Sequence, residues 1–222
     1  MAGFPGFDTS QYPGDQVMSW LKRNTNLTWT GFYLGVAPSH SQADWMNRRA
    51  VLVEQGWGFA PVYLGQQTTG PGSHDSSGPQ GTIDGGQAVA LMQAAGFPAG
   101  RCVYLDIENG PPLSALQIAY IAAWVNEVVA QGFQPGIYCS HLLAAQVHAI
   151  SPAARIWAFR VSTSAPHPVS GTNFPDLHPA GCGYAGAFAW QLGQECLITV
   201  PPAPQQTLQV DLDTAVTADP SA

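Results

Sequence analysis

Short apolar or β-branched runs, opened or closed by Gly or Pro, alternate along the first two thirds of the chain with segments of helical period. The runs predict strands at 3–8, 29–35, 59–65, 102–108 and 136–139. The periodic segments predict helices at 15–24, 42–55, 82–95, 114–131 and 141–149, the longest of them opened by Ser114, a natural cap. The stretch 66–81, QQTTGPGSHDSSGPQG, reads as a loop. Beyond residue 150 the pattern changes, with strands at 156–161, 187–192 and 208–212 joined by Pro- and Gly-rich loops without a helix.

Strands alternating with helices imply a parallel sheet with right-handed crossovers. Eight such strands in 222 residues imply that the sheet closes. The expected fold class is therefore α/β: a TIM-like barrel of eight strands with helices after the first five strands only, (β/α)5(β)3. An open doubly wound sheet is the alternative, but GGQAVA at 85–90 follows a loop and no GxGxxG or GxxxxGK[ST] is present. Even composition, the lack of an internal repeat and the shortness of the 66–81 loop predict a single domain over 1–222.

Charge narrows the partners. The chain has 7 Lys and Arg against 14 Asp and Glu, 9% charged in all, where about 25% is usual. Lys22 is the single lysine, so no cationic patch exists to neutralise phosphates or to lie on an anionic membrane. No nucleic acid, no membrane insertion and no nucleotide cofactor are expected. With 45% apolar residues the chain is too hydrophobic for disorder. The start MAGFPGFDTSQ lacks a signal-peptide pattern. An extracellular or envelope location then requires a removed signal or another route, such as that of a virus-encoded lysin.

Cys102, Cys139, Cys182 and Cys196 form no CxxC and sit beside no His pair at ligand spacing, so no metal site is expected. Cys102 and Cys139 fall at opposite ends of a sheet about 15 Å tall, too far apart to bridge. Cys182 and Cys196 flank a short apolar run and could bridge outside a reducing compartment.

In a barrel of this kind chemistry sits at the C-terminal ends of the strands. Asp8 ends the first predicted strand, Asp106 and Glu108 the fourth, and Asp211 and Asp213 the last. Within YLDIE, residues 106 and 108 share the interior face, because strand side chains alternate with period two, while Leu105 and Ile107 face the helices. Converging carboxyls repel one another, which raises at least one pKa and leaves a proton donor beside ionised partners. Glycoside hydrolysis requires that pairing. Taken singly, Asp8, Glu108 and Asp213 could each be ordinary turn or cap residues, and a calcium or magnesium site would need more oxygen ligands than the sequence places there. Tyr33, Tyr63, Tyr138, Trp157 and Trp190 lie in strands near the same rim, where a ring can stack on a sugar. Gln66, Arg160 and Gln191 lie at strand ends, where they can hydrogen-bond hydroxyls.

GFDTSQYPG, GFYLG, PVYLGQQ, YLDIE, PGIYCS, IWAFRV, AWQ and VDLDTA, taken in order over residues 4–215, resemble the bacterial "glycoside hydrolase-like" domain family related to family 25 glycoside hydrolases. The resemblance implies a lysozyme barrel of five βα units followed by three strands. It implies a general-acid Glu at Glu108, with the accompanying aspartates at Asp106, Asp8 and Asp211. Those lysozymes usually carry Asn where this chain has Asp213, so that corner differs in charge. The implied activity is cleavage of bacterial cell-wall polysaccharide, peptidoglycan above all. A monomer without cofactors is expected. A non-catalytic carbohydrate-binding or envelope domain that retains the barrel is the alternative.

Overall fold

Side-chain alternation sorts the core into two layers around one closed sheet. The computed structural model describes residues 2–200 and 206–222. Its first part alternates β1 (Phe4–Asp8), α1 (Asp15–Asn24), β2 (Trp29–Tyr33), α2 (Arg49–Glu54), β3 (Gly58–Tyr63), α3 (Gly78–Ala94), β4 (Cys102–Ile107), α4 (Ala115–Ala130), β5 (Gln134–Ser140), α5 (Ala144–Ile150) and β6 (Arg155–Phe159). Then follow β7 (His167–Val169), a 3-10 turn (Pro179–Cys182), β8 (Ala187–Val200) and β9 (Gln206–Ala215).

Strands β1 to β6 pair in sequence order, all parallel. β8 joins β6 in parallel, and β9 runs antiparallel to both β8 and β1, which closes an eight-stranded TIM-like barrel. The five helices follow the first five strands, as the sequence pattern predicts. Two features differ from that pattern. β9 is antiparallel, because the few residues between β8 and β9 cannot form the crossover of a dozen or more that a parallel pair needs. β7, a strand of three residues not foreseen, adds to β8 outside the closed ring.

The barrel interior holds Trp29, Ala60, Val62, Cys102, Tyr104, Trp157, Ala189 and Ala215. The alternate positions, among them Phe7, Phe32, Val103, Leu105 and Ile137, pack outward with Met18, Leu21, Met92, Ile121 and Trp124 of the helices. Bulky rings fit inside because small residues face them: a Cβ on Gly6 would lie 2.2 Å from the Trp29 ring. Trp157 packs edge-on against Trp29, Tyr104 and Tyr138, with centroids 5.5, 5.6 and 5.1 Å away, and floors the upper barrel.

Local signals set the helix ends. Ser114 and Gln117 form a capping box at α4. Ser77 accepts from the Gln80 backbone, so α3 begins at Gly78, four residues ahead of the prediction; Pro79 in the first turn is no obstacle, since its missing N–H would be unpaired there. The helix expected over 42–55 shortens to α2, and Asp44 instead accepts from the Tyr12 backbone N–H at 2.8 Å. All four cysteines are buried and free. The bridge considered for Cys182 and Cys196 does not form: Cys182 Sγ accepts from the Tyr184 backbone N–H at 3.4 Å, and Cys196 Sγ lies 3.7 Å from His167 Nε2. Among the described residues no helix is long and apolar enough to cross a membrane.

Candidate active site

Asp8 is the last residue of β1, Asp106 the last but one of β4, and Glu108 directly follows that strand. Parallel strands bring these ends to one rim. Asp211 arrives differently. The sequence pattern places Asp211 and Asp213 at the C-terminal end of the last strand, but β9 runs on to Ala215 and antiparallel, so its middle crosses the rim. Asp211 is level with Asp8 in the ladder, and Asp213, level with Gly6, lies two residues deeper.

The mouth is a cavity of about 330 Å3 whose lining includes Asp8, Tyr33, Asp106, Glu108, Glu195 and Asp211. A recess of about 60 Å3 continues below it to Tyr138 and Trp157. The Tyr33 hydroxyl donates to Asp8 Oδ1 at 2.6 Å. The Glu195 backbone N–H donates to Asp211 Oδ1 at 2.8 Å, and Gln191 Nε2 donates to Asp211 Oδ2. The Tyr138 hydroxyl donates to Gln191 Oε1, and Trp157 Nε1 donates to Asp213 Oδ1 at 3.0 Å. Asp8 Oδ2, Asp106 Oδ1 and Asp213 Oδ2 are buried without a partner among the described residues.

Burial and mutual repulsion govern the charges. Burial pushes the Asp8 carboxyl up to about 6, although the hydrogen bond from Tyr33 opposes the rise. Burial, then the charge of Asp8, pushes Asp211 up to about 8. Asp106 stands well above the usual carboxylate range through burial and the charges of Glu108 and Asp8. Asp213 stands well above it through burial and through Asp8. Carboxyls of unequal proton affinity thus sit side by side in the mouth, an arrangement suited to acid-base chemistry on a glycosidic bond. Among the described residues no group of three or more His, Cys, Asp or Glu is arranged to hold a metal ion.

Of the aromatic and polar candidates, Tyr33, Tyr138, Trp157 and Gln191 face the mouth or the recess beneath it. Four others do not. Tyr63 points to the helices, fully buried against Trp124 with its hydroxyl donating to Gln87 Oε1 at 2.7 Å; its ladder partner is the outward Leu105. Gln66 is buried in a loop anchor, donating to Asp84 Oδ2 at 3.0 Å and accepting from the Asp75 backbone. Trp190 lies on the outer face of β8, one residue from the inward Gln191, and donates to the Arg160 carbonyl. Arg160 reaches the Cys182 carbonyl at 3.2 Å and, with Trp190, lines a separate surface hollow.

Thr9, Ser10, Glu195 and Gln209 line the mouth without having been singled out from the sequence. Glu195 sits in a bulged stretch of β8 with φ +58°, unusual for a residue other than glycine. Gly193 inside an apolar strand run is the signal that could have marked this bulge.

The chain matches the Rv2525c-like, glycoside hydrolase-like domain over residues 20–178. No curated protein sequence matches it. Among solved structures it is similar to an uncharacterised protein of B. stearothermophilus, with 20% identity, 96% of each chain covered and a TM-score of 0.65. A family 25 glycosyl hydrolase from Bacillus anthracis aligns with 10% identity over 97% of this chain and 90% of that one, at a TM-score of 0.60. The Tat-secreted protein Rv2525c of Mycobacterium tuberculosis aligns with 13% identity over 98% and 97%, at a TM-score of 0.59.

Proposed function

The chain belongs to the Rv2525c-like, glycoside hydrolase-like family, and on that premise we propose that it hydrolyses bacterial cell-wall polysaccharide, with peptidoglycan as the substrate. The observation that carries this reading is the convergence of Glu108, Asp106, Asp8 and Asp211 on one open cavity. Glu108, exposed at the rim, protonates the leaving glycosidic oxygen and then, as a carboxylate, takes a proton from the incoming water. Asp106 stabilises the oxocarbenium-like transition state or orients a substrate acetamido group that attacks the anomeric carbon. Asp8 and Asp211 bind hydroxyls and set the local field, with Asp213 beneath them. Tyr33, Tyr138, Trp157 and Gln191 complete the sugar-binding surface.

The similarity to a Tat-secreted protein and to a family 25 glycosyl hydrolase supports an extracellular or envelope location. The protein would act there as a monomer. The test is mass spectrometry of products after incubation with defined cell-wall fractions. New reducing ends on the glycan support the reading. Tight glycan binding without products would make this barrel a carbohydrate-binding domain instead.

A further inference from the structure

Asp213 lies below the rim, level with Gly6 on β1 and with Gln191 on β8. It is 1% exposed, and Asp8 is 6% exposed. The two carboxyls are half satisfied in the same way. Asp213 Oδ1 accepts from Trp157 Nε1 and Asp8 Oδ1 from the Tyr33 hydroxyl, while Oδ2 of each has no donor among the described residues. In the β1–β9 ladder the two are diagonal neighbours on the interior face, Asp213 pairing with Gly6, two residues before Asp8.

The groups acting most strongly on Asp213 are Asp8 on β1, Asp211 on β9 and Trp157 on β6; Tyr138 on β5 and Gln191 on β8 complete the wall. None of these is a cation, and neither ion pair found among the described residues involves Asp213. Two neighbouring carboxyls, both buried and facing no cation, resist joint ionisation, because desolvation and like-charge repulsion oppose the second charge. One proton between the two unpartnered oxygens removes a charge and gives each oxygen a partner at once.

We propose that Asp213 is a positioning residue held as a neutral carboxylic acid, its hydroxyl donating to Asp8 Oδ2, so that Asp8 meets the mouth as the ionised member of the pair. Geometry decides which residue keeps the proton. Asp8 borders the cavity and receives the Tyr33 hydroxyl, both of which favour its charged form, whereas Asp213 is sealed under it. The consequence for turnover rests on the proposed function. The location of the proton does not, since it can be read in the resting protein.

Carbon-13 NMR of the full chain, labelled at the aspartate carboxyls, tests the assignment. At neutral pH the Asp213 signal is expected in its protonated position, and Asp213→Asn should remove one protonated-carboxyl signal. An Asp213 signal in its ionised position, or an unchanged set of protonated signals in the variant, overturns the proposal. Asp213→Asn and Asp213→Leu separate donation from packing: the Asn amide can still donate to Asp8, whereas Leu cannot. The Asp8 titration should therefore rise by about one pH unit or more in the Leu variant relative to the Asn variant. Equal Asp8 titrations in the two variants count against the proposal, and if a variant fails to fold, the wild-type Asp213 signal decides alone. Absence of glycan turnover alongside the expected NMR result would sink the hydrolase reading and leave this one standing.

Discussion

Asp8 and Asp211 are direct partners in the antiparallel ladder between β1 and β9, so the first and last strands of the barrel set two carboxyls side by side at its rim. Closure of the sheet creates this contact. Residues 203 positions apart in the chain become neighbours in a partly desolvated cavity, and neither ion pair among the described residues involves them. Their repulsion is a property of the fold, absent in the unfolded chain.

Burial of both carboxyls, with the charge of Asp8 adding to it at Asp211, predicts how stability depends on pH. In the folded protein Asp8 is pushed up to about 6 and Asp211 up to about 8, while in the unfolded chain both titrate near the ordinary carboxylate value. A raised folded pKa means that the folded state binds more protons between the two values, so stability is greatest at acid pH and falls as pH rises. The midpoint of thermal unfolding is expected to decline steadily from about pH 4 to about pH 8. A midpoint that rises across this range would show that these carboxyls are not perturbed as described.

Glu108→Gln should lower turnover on cell-wall glycan by about 10²-fold or more, the usual worth of a positioned general acid. The amide keeps the shape and loses the proton. Circular dichroism is expected to be unchanged, because Glu108 is exposed and lies outside the β4 ladder. Wild-type turnover in this variant would remove Glu108 from the acid role.

Tyr33→Phe tests the support of Asp8. Its hydroxyl, which burial and Asp8 hold well above the usual tyrosine range, donates to Asp8 at every pH of interest. Losing a hydrogen bond to the charged form raises a carboxyl pKa. The acid limb of the pH–activity profile should move to higher pH in the variant, and an unmoved limb would separate Tyr33 from the ionisation of Asp8.

The strand ends of β1 and β4 could be read from the sequence because period-two alternation and the C-terminal-end rule act locally: FPGFD and YLDIE each carry their carboxylates to the rim by position alone. The same alternation, carried into β3, would have excluded Tyr63, since Ala60 and Val62 face inward. The direction of β9 was not local. It follows from a connection too short for a crossover, and it decides that Asp213 is buried beneath Asp211 rather than beside it at the rim. Trp190 stays outside the mouth because adjacent residues of β8 point to opposite sides and only Gln191 faces inward, while Arg160 follows the end of β6 and lines the outer hollow with Trp190. Glu195 depends on a bulge, a two-for-one mismatch between strands that no single-strand pattern reveals.

Room around Asp8 matters as well as its charge. Gly31 on β2 faces the barrel interior beside the Asp8 side chain. A Cβ placed on it would lie 2.6 Å from Asp8 Cβ, closer than such atoms come in real structures, and a tight 3.3 Å from Asp8 Cα. The atoms that would have to move are the root of a buried side chain and the β1 backbone, neither of which can swing aside as the end of a flexible side chain could. Gly31→Ala should therefore do two things. Overpacking should lower stability by about 1–3 kcal/mol. The forced shift of Asp8 should cut turnover by about tenfold or more in the molecules that remain folded, since small misplacements in a preorganised site are costly. Gly110→Ala is the control: it lies on the loop that follows Glu108, with nothing within 4 Å of the added Cβ. Thermal unfolding and initial rates measured on both variants decide the matter. If Gly31→Ala turns over glycan as fast as Gly110→Ala, the position of Asp8 does not limit the reaction.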